Sequence, residues 1–287
     1  MFKSKLVIAA VLLLVAAMVF SMVGCEPEEV VDDVDVAESV EILFVEWDCA
    51  TASTYVAKAV LEDMGYEVEV TPVAAAMMWS GLAAGDGDFI SCAWLPGTHG
   101  EYYEEYGDDV VEIATHYEGA RIGLVTPTYM DITSITEVDD YVSDITGIDP
   151  GAGIMAATED AIDTYGLAAG LIEGSDAAMT AELSTAIAND ENIVVTGWTP
   201  HWKFAEWDLK FLEDPENAFG DEEYIANVGR AGLQEDLAEV YEFLENFSWG
   251  DDEIGAVMEM NAEDPDYEGN ARKWIDENQD IVNTWIP

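Results

Sequence analysis

Between residues 40 and 93 short apolar runs alternate with amphipathic stretches, and no other feature of the sequence restricts the fold as strongly. Residues 40–45 read as a strand, and residues 50–64 carry Val56, Ala59, Val60 and Leu61 near helical spacing, closed by Gly65. Residues 67–73 alternate as a second strand, 74–82 return to helix with Met77, Met78 and Trp79, and 88–93 form a third strand. A β-α-β-α-β order implies a largely parallel sheet with helices on its faces, so the fold class is α/β. Residues 101–110 are a polar helical or irregular stretch. Residues 120–127 are expected as a strand crossing toward a second lobe, and 128–138 as a connection. The same grammar restarts at residue 145, with a helix opening near Ile154 and running toward Tyr165, a helix over 177–188, and a strand over 192–196. Residues 237–287 look helical and repeatedly aromatic, with Tyr241, Phe243, Phe247, Trp249, Trp274 and Trp285, and are expected to wrap back on the first lobe. The expected organisation is thus a first lobe over 41–130 plus 237–287, a second over 131–236, and a cleft between them.

Charge narrows the setting. The 287 residues include 61 Asp and Glu against 9 Lys and Arg, a net charge of -52. The acids are interspersed with strands, helices and tryptophans, so disorder does not fit. Such self-repulsion opposes compaction in ordinary buffer, but near 1 M salt the Debye length falls to about 3 Å and most of it is screened. The chain reads as one suited to brine, and without a basic stripe it excludes nucleic acid as a partner. At the N-terminus Lys3 and Lys5 precede an apolar run from Leu6 to Val23, closed by Gly24 and Cys25. This is the pattern of a secretory signal ending in a lipoprotein-type Cys, with an uncleaved membrane anchor as the alternative. Residues 1–25 would be the signal, Cys25 the lipidated residue, and 26–40 an acidic tether outside the membrane.

Three tryptophans share one local setting. Trp47 follows ILFVE, Trp94 follows DFISCA and Trp198 follows VVTG, each at the end of an apolar run and before a turn. In open α/β sheets ligands bind at that edge, so three indoles there can wall one pocket. Within ITGIDPGAGIM, Gly147, Gly151 and Gly153 precede a helix start, where free N–H groups and the positive dipole end suit an anion; the spacing is neither a dinucleotide fingerprint nor a P-loop. A quaternary ammonium donates no hydrogen bond and is recognised through π faces. Cage and helix end together fit a small zwitterion, with His99 as a further donor. Trp79, Trp202, Trp207, Trp249, Trp274 and Trp285 are assigned to packing. His116 and His201 have no second ligand at metal spacing, so no metal is assigned, and no cofactor. Cys49 and Cys92 read as buried free thiols or, outside the cell, as a pair. No nucleophile is accompanied by a base, and Ser91 lacks His and Asp in pattern, so no catalytic residue is assigned.

AWLPGTH, ITGIDPGAGIM, SDAAMTAEL, TGWTPHWKFA and LKFLEDP resemble the substrate-binding proteins of glycine betaine ABC importers, the OpuAC-like group. The resemblance runs from about residue 40 to the C-terminus. It implies a two-lobed periplasmic-binding-protein fold of type II, with a tryptophan box of Trp47, Trp94 and Trp198. It also implies carboxylate contacts from the backbone N–H groups of Gly153 and Ile154 and from His99. A membrane permease and a cytoplasmic ATPase would be the partners, on the outer face of the membrane. The implied ligand is glycine betaine, with choline, carnitine or proline betaine as alternatives. Some members are circularly permuted, and here the lobe bearing EWD and AWLP comes first.

Overall fold

The computed structural model describes residues 38–287; the expected signal, Cys25 and most of the tether lie outside the described residues. β1 (Ser39–Phe44) leads through Trp47 into α1 (Asp48–Asp63), which returns the chain to β2 (Glu67–Pro72) parallel to β1. α1 is rich in alanine and buried along most of its length, including Val56, Val60 and Leu61, because it is covered on both sides. α2 (Ala75–Ala84) and β3 (Phe89–Leu95) complete the first unit, with β3 parallel to β1 and all seven of its residues buried. This is the local alternation that the sequence announced.

α3 (Gly100–Tyr106) is followed by β4 (Val110–Pro127), an 18-residue strand that belongs to two half-sheets at once. Its first part, to Ala120, pairs antiparallel with β9 (Glu223–Arg230), and from Arg121 to Val125 it pairs antiparallel with β7 (Val195–Thr199). Beyond a 3-10 turn at Ile135–Asp140, β5 (Asp144–Thr146) leads to α4 (Gly153–Tyr165), β6 (Gly170–Ile172) and α5 (Asp176–Ala188). β5 pairs parallel with both β6 and β7. α6 (Lys203–Glu206) and β8 (Leu209–Phe211), which pairs with β4, precede β9. Among the described residues the strand order is β2-β1-β3-β9-β4-β7-β5-β6.

Three expectations need correction. The sheet is mixed rather than largely parallel, because β9 enters antiparallel between β3 and β4. β9 therefore completes the first half-sheet, although residues 131–236 were expected in the second lobe. The crossing strand starts at Val110 rather than at 120; its early part is broken by register shifts against β9, which erase a clean period-2 pattern.

The last stretch is helical as expected: α7 (Leu233–Asp236), α8 (Ala238–Asn246), α9 (Asp251–Glu263), α10 (Tyr267–Glu277) and α11 (Gln279–Val282). α9 and α10 pack on α1, and α8 packs on β4 and β9. Buried Phe243, Phe247, Trp249, Trp274 and Trp285 interlock there, with Phe247 4.8 Å edge-on to Trp285 and Trp274 stacked 6.0 Å from it. The Trp285 indole N–H donates to the Ser248 carbonyl at 3.0 Å. Trp79 is likewise fully buried, as assigned from the sequence.

Candidate functional site

Trp47, Trp94 and Trp198 line a single small cavity, together with Thr98, Ile122, Ile148, Ala152, Gly153 and Ile154. The non-atom space at this site, including what is open to solvent, is about 290 Å³. Trp47 sits between β1 and α1, and Trp94 lies one residue from the end of β3. Trp198 lies inside β7, opposite Ile122 of β4, rather than after the strand as expected, because β7 runs to Thr199. Gly197 precedes it in ordinary backbone conformation; a Cβ there would lie 2.3 Å from Val125 Cγ2, so the glycine answers to packing across the β4–β7 pair.

Each ring is held from outside the cavity. The Trp47 indole N–H donates to Asp149 Oδ1 at 3.0 Å, a bond between the two half-sheets. Trp94 offers its backbone N–H to His99 Nδ1 at 3.1 Å. The Lys203 ammonium lies 4.0 Å from the ring centroid of Trp198. Lys203 does not border the cavity, so it occupies ring surface directed away from it.

Two loops form the side of the cavity at the start of α4. α4 begins at Gly153 after Ala152, with no side-chain cap, so the first N–H groups of the helix are not taken by a neighbouring side chain. A Cβ on Gly153 would sit 2.1 Å from the Thr98 carbonyl oxygen, so only glycine lets this helix start press against the Thr98 loop. That loop is pinned by buried Glu223 at the start of β9, whose Oε1 accepts from the N–H groups of Gly97 and Thr98 at 2.7 Å each.

His99 is fully buried but does not line the cavity; it stacks behind Trp47 at 5.6 Å, 30° from parallel. With Nδ1 accepting from Trp94, the proton of the neutral ring is on Nε2, which has no partner among the described residues. Burial lowers its pKa to about 3, so the ring is a neutral donor at physiological pH.

A second polar cluster joins the half-sheets beside the cavity. Asp48, at the start of α1, donates its N–H to Asp176 Oδ2 at 3.1 Å and accepts the indole N–H of Trp202. His201 Nε2 donates to Asp176 Oδ1 at 3.1 Å while its Nδ1 accepts the Lys203 N–H, also at 3.1 Å. Lys203 Nζ is buried without a hydrogen-bond partner among the described residues. Burial, then the neighbouring Asp176, raises the Asp48 pKa to about 7. Burial would raise Asp176 too, but His201 and Lys203 more than offset it and hold Asp176 ionised. Burial lowers His201 to about 4, aided by Lys203, and lowers Lys203 to about 8. One ligating atom from each of Asp48, Asp176 and His201 falls within 4.8 Å of the other two, so His201 has close carboxylates that sequence spacing did not reveal.

Asp149, Asp176, Glu223 and Thr98 were not found from sequence; one carboxylate among 61 has no local signature. Cys49 and Cys92 are buried and unpaired, and burial raises both thiols, that of Cys92 to about 12.

A family model described as the substrate binding domain of ABC-type glycine betaine transport systems matches residues 38–277. The glycine betaine/carnitine transport binding protein GbuC of Listeria monocytogenes is 47% identical over 144 residues, covering 49% of this chain and 48% of that one, so the chain spans about half the length of this curated relative. Lactococcal OpuAC, solved closed with glycine betaine, superposes at a TM-score of 0.84 with 35% identity, covering 87% of this chain and all of that one. The glycine betaine/L-proline-binding protein ProX of Borrelia burgdorferi gives 0.84 and 37%, over 87% and 97% of the two chains. The mixed α/β architecture is therefore periplasmic-binding-protein-like, and the chain belongs to the OpuAC family, the substrate-binding domains of ABC-type glycine betaine transport systems.

Proposed function

We propose that this chain is the extracytoplasmic solute-binding component of an ABC importer and that it captures glycine betaine. The observation that carries the reading is the convergence of Trp47, Trp94 and Trp198 on one apolar cavity whose other end is the uncapped start of α4. A trimethylammonium group finds three π faces there, each worth roughly 0.5–2 kcal/mol. The carboxylate of the same molecule would take the N–H groups of Gly153 and Ile154, with the positive helix end behind them. His99 Nε2 is the third donor in this scheme and would reach the ligand by a small shift of the Thr98 loop. Choline lacks the carboxylate and leaves those donors unpaired.

In this reading the half-sheets act as lobes, and closing them dehydrates the cation and completes the box. No covalent step takes place in the chain, and the solute passes to a permease driven by a cytoplasmic ATPase. Cys25 would carry the lipid that keeps the protein at the outer face of the membrane, and the acidic surface would suit a cell gathering an osmolyte from brine. Among the described residues no helix is long and apolar enough to cross a membrane.

Titration calorimetry in about 1 M salt against glycine betaine, proline betaine, carnitine, choline and glycine tests the assignment. Glycine betaine should bind tightest, and Trp198→Leu should weaken it roughly 2- to 30-fold while the circular dichroism spectrum stays near wild type. Equal affinity for choline, or no loss in Trp198→Leu, would overturn the reading.

A further inference from the structure

We propose that solute capture by this protein takes up a proton from solvent, held by Asp48 in the polar cluster that joins the two half-sheets. The inference rests on the solute-binding reading above and adds a second, ionic ligand to it.

Asp48 belongs to the first half-sheet, through α1, whereas Asp176, His201, Trp202 and Lys203 follow strands of the second. The cluster therefore exists only while the halves are together. Its charges can be counted. Asp176 is ionised, accepting from His201 and from the Asp48 N–H, and Lys203 balances it; His201 is neutral, since its Nδ1 accepts a backbone N–H. An ionised Asp48, whose side chain is 38% exposed, would set a second carboxylate charge within 4.8 Å of buried Asp176, with only Lys203 to balance the two, and such like-charge pairs disfavour double ionisation. Protonating Asp48 restores neutrality.

The Trp202 indole N–H and Lys203 favour the ionised form of Asp48, and Asp176 opposes it. Asp176 faces it from α5, His201 and Lys203 from the segment leading into α6, the Tyr267 hydroxyl from α10, and Cys49 lies next to it on its own helix. Lys203 is the nearest full positive charge, and it is shared with Asp176. When the halves separate, Asp48 returns to water and to an ordinary carboxylate value near 4. Closed, its pKa stands at about 7. The step is a simple one: a carboxylate oxygen gains H⁺ from the buffer as the cleft closes, with no change in electron count. Binding is then tighter at acid pH and weakens as pH rises toward 7, levelling above about pH 8.

The test is calorimetric titration of the full chain with glycine betaine in about 1 M salt, in two buffers of different ionisation enthalpy, at several pH values. Wild type should take up about half a proton per ligand near pH 7 and close to one near pH 6, with affinity falling about tenfold per pH unit between pH 5 and 6. Asp48→Asn, which mimics the protonated acid, should bind without this uptake and with a flatter pH profile. Asp176→Asn removes the neighbouring charge and should shift the uptake window to lower pH. Buffer-independent heats in the wild type, or unchanged uptake in Asp48→Asn, would overturn the proton coupling and leave the solute assignment standing. Absence of binding to glycine betaine and to every other ammonium solute tried would instead overturn the solute assignment, and the coupling with it.

Discussion

Gly153 owes its identity to a residue more than fifty positions earlier. A single methyl at this site would meet the Thr98 carbonyl oxygen at 2.1 Å, and neither a helix start nor a backbone carbonyl can give way cheaply. Gly153→Ala should therefore destabilise the fold by about 1–3 kcal/mol, the range of overpacking. It should lower glycine betaine affinity by more than the stability loss explains, because the displaced N–H groups are those proposed to take the carboxylate. Urea denaturation and calorimetry on the same preparation would separate the two effects. At this scale the sequence was partly legible. The three indoles could be found because each follows an apolar run, and Gly153 because glycines crowd before a helix. The side chains that hold them could not be found: Asp149 reaches Trp47 and Glu223 reaches Gly97 across gaps that no local pattern encodes. Gly197 is a point of close packing that no local pattern announces.

Among the elements, the C-terminal helices form a separate support for the first half-sheet. Trp249 packs edge-on to Trp274 at 5.8 Å and against Phe247 at 5.3 Å, none of them lining the cavity. Trp249→Ala should cost about 3–5 kcal/mol of folding stability, as large aromatic deletions from a core do. Affinity per folded molecule should be unchanged, a split that thermal unfolding and calorimetry would detect; a specific loss of affinity would place this helix layer in the binding step. β1, α1, β2, α2 and β3 were legible because their partners are neighbours in sequence and their periods are intact. β9 was not, since its partners β3 and β4 are distant in the chain and its pairing is interrupted by register shifts on both sides.

For the whole molecule, the balance of charge decides the conditions under which it is stable. A net charge of -52 is offset by few ion pairs among the described residues: Lys58 with Glu62 and Glu268, Arg230 with Asp88 and Asp236, and Arg272 with Glu62 and Asp63. Such partly exposed pairs contribute little individually. Arg272 nonetheless ties α10 to α1, and Arg230 ties β9 to the loop before β3. Raising salt from 0.1 to 1 M shortens the Debye length from about 10 to 3 Å. The midpoint of thermal unfolding should then rise by at least about 5 °C, corresponding to roughly 2 kcal/mol for a chain of this size. A flat or falling midpoint by scanning calorimetry would show that self-repulsion does not limit the fold.

The insertion of β9 between β3 and β4 also fixes an order of events during synthesis. The strand bearing Trp94 faces an empty slot until Ile225, its partner, has left the ribosome. The first half-sheet therefore closes only once residues 223–230 have joined it.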